Sequence, residues 1–398
     1  MNRKIILMLI LACLMGFITN YLTNYLMGGT NLPQNVKSIK GKHSATEEIT
    51  EEITEAPGSC QLMHGVTKMF ERTCNLIETE AKCDALGGSL DTCKWIADDR
   101  LADYTRNYPT LNDNTIRLAV AAFKRSQHDD IYGPISYWDV SGVTNMKELF
   151  KDFYQFNEDI NDWDVSGVTD MSMMFYECRA FNQPMGKWGK KVSSVKNMSG
   201  MFSHCTVFDQ DISSWNVSRV TNMSGMFSNC QAFNQNIRSW MVWNVTNMNS
   251  MFYGCYDFNQ PIGDWGKKVF KVTDMFSMFY ECHAFNQPIG SWDVSIVTDM
   301  KYMFLGCKDF NQDIGSWNVI SVTNMKGMFI DCTAFNKDIS SWKVGEVINM
   351  NSMFKGSTAF KQDISDWKNR ISDKTDVRHM FENTIMSDNF KPRGNNDN

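Results

Sequence analysis

Between residues 135 and 386 the apolar positions of the chain repeat every 25 residues, stretched to 27 in places. Tryptophan marks the register at Trp138, Trp163, Trp188, Trp215, Trp240, Trp265, Trp292, Trp317, Trp342 and Trp367. An apolar residue stands three places before each, from Ile135 through Met185 to Ile364. Ten units result, called coils one to ten after these tryptophans. They follow the pattern F-N-Q-x-I-x-x-W-x-V-S-x-V-T-N-M-x-x-M-F-x-x-C. A period of this length signals a stacked repeat, because one unit is too small to bury its own apolar face and its neighbours must do so. The longer units add two residues after Trp188 and Trp265 while both flanking patterns stay in register, which predicts a bulge on a loop.

Each unit holds two patterns. Met171, Met174, Phe175 and Cys178 fall at i, i+3, i+4 and i+7, which predicts an apolar stripe on a short helix or 3-10 turn. Asn or Asp precedes the first of these positions in every coil (Asn145, Asp170, Asn197 and onward to Asp376), the residue type that caps a helix. Glu148 falls where a capping box wants an acid. The I-x-x-W-x-V segment reads as a short strand, matching the L-x-x-L-x-L of a leucine-rich repeat. The predicted fold is therefore an α/β repeat solenoid, leucine-rich-repeat-like, with ten coils stacked through a parallel sheet over 135–386. Trp240 and Phe233 are expected in its core, and Trp243, off the ladder, at the surface.

The ends differ in composition. Residues 1–27 combine Arg3 and Lys4 with an apolar run from Ile5 to Ile18, and read as a signal anchor or a cleaved signal peptide, with a buried structural helix as the other reading. Tyr21 and Tyr25 suit a helix leaving a bilayer. Either signal would export the remainder. A polar, acidic linker follows over 28–58. Cys60, Cys74, Cys83 and Cys93 lie within 59–97; in an exported chain they read as two disulfides of open connectivity, and no Cys-x2-Cys pair supports zinc. Residues 98–134 read as a helical cap, with Ile116, Ala119, Val120 and Phe123 on one face, and 387–398 as a disordered tail.

Composition adds little once the repeat is removed. The 28 Met, 12 Trp and 26 Phe follow from it. The seven cysteines from Cys178 to Cys332 share the period, so they read as core thiols. A net charge of -6 without a basic cluster argues against a nucleic-acid partner. No cofactor or metal motif occurs. His204 and His283 each precede a ladder cysteine, yet neighbours in sequence point different ways, and surface histidines are expected. Acidic pairs such as Asp162/Asp164 and Asp209/Asp211 read as solvated turns. Asn216 and Asn244 are glycosylation candidates by the N-x-Ser/Thr rule; Asn197 and Asn222 satisfy it too but occupy the cap position.

The phrases WDVSGVTNMKELF, WNVSRVTNMSGMFSNCQAFNQNI and WNVISVTNMKGMFIDCTAFNKDI, with the lead-in LNDNTIRLAVAAFKRS before YGPISYWDVS, resemble the BspA-like leucine-rich-repeat surface proteins. The resemblance covers roughly 130–386, and ten copies agree. It implies display at a cell surface, binding or adhesion, and no shared catalytic residues. The expected function is a membrane-tethered binding module for a protein or glycan, not an enzyme. Asp159, Asp211, Asp313, Asp338 and Asp363 are the candidate partner-facing residues. A solenoid polysaccharide-active enzyme and a purely structural spacer are the alternatives.

Overall fold

The computed structural model of the chain describes residues 109–126 and 132–392, all within the compact unit Asp98–Asn398. The anchor, linker and four-cysteine readings lie outside the described residues. What is described is a repeat protein in which each coil bonds to the next.

The bonding differs from the expected strand and helix. In coil six the amides of Met275, Ser277, Phe279 and Glu281 donate to the carbonyls of Asp299, Lys301, Met303 and Leu305 in coil seven, at 3.1, 2.9, 2.9 and 2.6 Å. Alternate amides therefore leave the coil. The others close turns inside it, Met278 onto Met275 and Cys282 onto Phe279, at 3.2 and 3.0 Å. The third residues of these two turns, Ser277 and Glu281, have φ of 50° and 56°. A hydrogen-bonded turn with positive φ at its third residue alone is type II. Every coil repeats this pair of left-handed positions, from Glu148 and Asp152 to His379 and Asn383. The i, i+3, i+4, i+7 stripe is thus built by two tandem turns, not by a helix. A helix would spend its amides within the coil; the turns release every second one to the neighbour.

The I-x-x-W-x-V segment is likewise turned. Trp163 donates its amide to Ile160 at 3.1 Å and Val168 to Val165 at 3.0 Å. Strand character shrinks to one residue per coil, the Asn or Asp before the first Met. It forms the parallel bridges Asn145↔Asp170, Asp170↔Asn197 and so on to Asn349↔Asp376. Its side chain accepts the amide two residues ahead, as in Asp170 to Ser172 (2.8 Å) and Asn247 to Asn249 (2.9 Å). It therefore caps an Asx turn in place of a helix. Glu148 does not reach back as a capping box would; it lies beside Lys147 and Lys151. The two-residue insertions fold as 3-10 helices, Gly186–Ser194 and Gly263–Val269.

The inward positions are filled as the period requires. Trp, Ile, Val, Met and Phe of the ladders are buried, Trp240 at 1% and Phe233 at 0%, whereas Trp243 is 43% exposed. Polar atoms of the ladders find partners one coil back. Each indole from Trp163 to Trp342 donates to the preceding coil's carbonyl three residues before its tryptophan, as Trp240 does to Ile212 at 3.2 Å. The seven thiols donate to the preceding coil's phenylalanine carbonyl at 2.8 to 3.1 Å, and Ser357 does so to Phe329 in their stead. In coils two to nine the position thus holds a donor, and in coil one Phe153 takes it.

Helix α1, Thr115–Ser126, lies against coil one. Ile116, Ala119, Val120 and Phe123 are buried, Arg117 and Lys124 donate to the carbonyls of Lys147 and Lys151, and Asp113 accepts the amides of Thr144 and Asn145. At the other end, the expected tail begins in a 3-10 turn, Asp388–Phe390, whose Phe390 carbonyl accepts the amide of Ile364 at 3.1 Å.

Candidate binding surface

With the inward positions fixed by the repeat, only the outward ones are free to vary, and ten copies allow each to be compared within one chain. The residue after the ladder phenylalanine lies at the centre of the second type II turn. It is Ser203 and Ser228 in coils three and four and Lys355 and Glu382 in coils nine and ten. In coils five to eight it is Tyr253, Tyr280, Leu305 and Ile330. Nothing in the stacking demands this, since coils one, three, four, nine and ten stack with Lys, Ser, Ser, Lys and Glu there; coil two carries a single aromatic, Tyr176, between Lys151 and Ser203.

These side chains form an aromatic face. Tyr253 and Tyr280 stack at 4.4 Å, and Tyr256 and His283 lie parallel at 4.9 Å. Phe276 and Tyr302 lie 6.4 Å apart with the Lys301 ammonium over both rings, at 5.4 and 5.0 Å. Burial and the adjacent Tyr253 push the Tyr280 phenol up from its ordinary pKa. Gly327 makes room: a Cβ there would come within 2.6 Å of the Tyr302 ring, and its φ of +57° disfavours other residues. Tyr256 is 38% exposed. Flat rings beside Glu281, whose carboxylate meets His283 Nε2 at 2.5 Å, offer stacking faces and hydrogen-bonding groups together.

The aspartates singled out from sequence are exposed but occupied. Asp159, Asp211, Asp313, Asp338 and Asp363 each accept the amide two residues ahead, at 2.9 to 3.1 Å. Bonds from Ser213, Ser340 and Ser365 hold Asp211, Asp338 and Asp363 below the usual carboxylate pKa. They close turns, not strands, so they do not line a sheet. Asn216 is exposed, its Oδ1 taking the Ser218 hydroxyl at 2.7 Å. Asn244 is half-buried and engaged at both ends, by Ser218 O and Lys271 Nζ, each at 2.8 Å. Cys60, Cys74, Cys83 and Cys93 lie outside the described residues.

No Cys–His pair forms: the ladder thiols point inward to carbonyls, while His204 and His283 face Glu177 and Glu281. Among the described residues no group of three His, Cys, Asp or Glu is placed to hold a metal, and no helix is long and apolar enough to cross a membrane.

No curated protein and no solved structure matches the chain. A family described as "Mycoplasma protein of unknown function, DUF285" matches at residues 120–192, 190–290 and 273–391. These segments run through the turn-built coils and cover well over half of the 398 residues. The chain belongs to that repeat family.

Proposed function

We propose that the chain is a surface-displayed binding module, held at a membrane by residues 1–27 and exporting its C-terminal part, with no catalytic role. On this reading the coils form one continuous solenoid of the leucine-rich-repeat kind, allied to the BspA-like surface proteins by the phrases quoted above. Its partner is a protein or a glycan. The observation that carries the proposal is the aromatic face of coils five to seven, continued by Leu305 and Ile330: four consecutive coils are apolar at a position that coils one, three, four, nine and ten fill with Lys, Ser or Glu, and where Tyr176 of coil two stands alone. Solvent-facing aromatic clusters with adjacent polar groups are the usual anchors of recognition. A structural spacer would have no reason to differ between coils.

The test is to pass the purified full chain over immobilised glycans and extracellular proteins. The proposal expects a retained ligand whose binding falls at least tenfold in the Tyr256→Ala/Tyr280→Ala variant. Retention of no ligand would favour the spacer, and release of shortened glycan would favour the enzyme.

A further inference from the structure

A second row of apolar side chains lies elsewhere on the same four coils. Between the ladder tryptophan and the bridge, each of coils one to nine makes a V-x-x-V turn. Val245 bonds to Val242, Val272 to Val269, Val297 to Val294 and Val322 to Val319, at 2.9 to 3.0 Å. Both valines of each pair are buried, so the two residues between them sit at a turn tip. In coils one to three these tips read Ser141-Gly142, Ser166-Gly167 and Ser193-Ser194, and in coil nine Gly345-Glu346. Ser and Gly are what such turns favour. In coils five to eight the tips carry Trp243, Phe270, Ile296 and Ile320, which are 43%, 44%, 43% and 46% exposed. Met241, beside them, is 41% exposed. Asn244 links Ser218 to Lys271, and Ser321 donates to Ser295 O at 2.6 Å, so the tips of adjacent coils are neighbours in space.

The charges around this row are biased. Arg219, Lys267, Lys268, Lys271 and Lys343 lie on it or beside it, against Asp293 and Glu346, in a chain of net charge -6. Asp293 is half-buried and takes the Ser295 hydroxyl at 2.6 Å. None of the five cations forms an ion pair among the described residues. Lys271 instead lies over the Phe270 ring, 5.5 Å from its centroid.

We propose that this row docks on an anionic lipid bilayer, with Trp243, Phe270, Ile296 and Ile320 entering the headgroup boundary and the lysines meeting lipid phosphates. Apolar residues at turn tips suit insertion into a soft medium, because a projecting line of single side chains has no walls to enclose a peptide. Trp and Phe are the residues that favour the interface, and binding strength there is the sum of buried apolar area and attraction to anionic lipid. Each Lys near such a surface strengthens binding about fivefold. The inference is independent of the aromatic face, which serves a different partner.

The full chain is mixed with vesicles of three parts phosphatidylcholine, brominated on its acyl chains, to one part phosphatidylglycerol. Bromine quenches only an indole that reaches the hydrocarbon. Trp243 alone among the described tryptophans is exposed, the ten of the ladder being buried. The expected result is partial quenching that disappears in Trp243→Phe. Lys267→Gln, Lys268→Gln and Lys271→Gln together should then abolish most of the Trp243 quenching, a readout that attachment through residues 1–27 does not itself supply. Equal quenching with and without Trp243, or none, overturns the proposal and assigns the row to a protein partner. Equal insertion into pure phosphatidylcholine overturns the choice of anionic lipid.

Discussion

Above about pH 9 the fold is expected to lose stability by about 10 kcal/mol per pH unit, through the seven buried thiols. Burial raises the pKa of every one of them, Cys178 to about 12 and Cys205, Cys255, Cys282, Cys307 and Cys332 well above the ordinary value. Cys230 moves the same way. An unfolded thiol titrates near about 8.5. A folded pKa above the unfolded one gives stability that is complete below about pH 8.5 and is lost as pH rises toward the folded value. Each thiol contributes about 1.4 kcal/mol per unit in that window, and seven act together. Urea unfolding measured from about pH 8 to about pH 10.5 gives the slope. Replacing the seven with Ser, as coil nine does at Ser357, should flatten it. An unchanged slope would mean that the thiols are not buried in the fold. The same burial predicts slow alkylation until the chain unfolds.

Trp240→Ala is expected to cost about 3–5 kcal/mol, and Trp243→Ala less than about 1 kcal/mol. The first removes a buried ring and leaves the Ile212 carbonyl without its indole donor. The second removes a ring already 43% exposed. Thermal or urea unfolding of the two variants separates them, and equal losses would place coil five in the wrong register.

The period made the core legible, because inward positions are set by repetition whatever the local backbone does. Every ladder residue from Ile135 to Trp367 is where the spacing put it. Local conformation was not legible from apolar spacing alone. Positions i, i+3, i+4 and i+7 face one way on a helix and equally on two tandem turns. The distinguishing signal lies in polar and small residues. Gly200, Gly225 and Gly327 occupy the first left-handed position, and Gly254, Gly306 and Gly356 the second, with Asp152, Asn229, Asp331 and Asn383 also at the second. Those are residue types that tolerate positive φ, and they are poor helix formers. The proposed binding surface is hard to read from sequence for a related reason. The conspicuous aspartates are exposed and also close turns, whereas the proposed face lies where four consecutive coils, five to eight, are apolar at one turn position. Trp243 stands off the ladder; Phe270 and Ile320 share its place in the V-x-x-V turn, and Ile296 is one residue later on the same tip.

The claim that recognition resides on the aromatic face of coils five and six is tested most directly by making that face like coil four. Tyr253→Ser and Tyr280→Ser copy Ser228, and Tyr256→Gln and His283→Gln copy Gln231. The quadruple variant of the full chain is compared with wild type by titration against the ligand retained on the immobilised array, with Thr206→Ala/Val207→Ala in coil three as the control. The account predicts binding reduced at least a hundredfold in the quadruple variant, an unfolding midpoint near that of wild type, and full binding by the control. A quadruple variant that folds and binds as wild type does would contradict it.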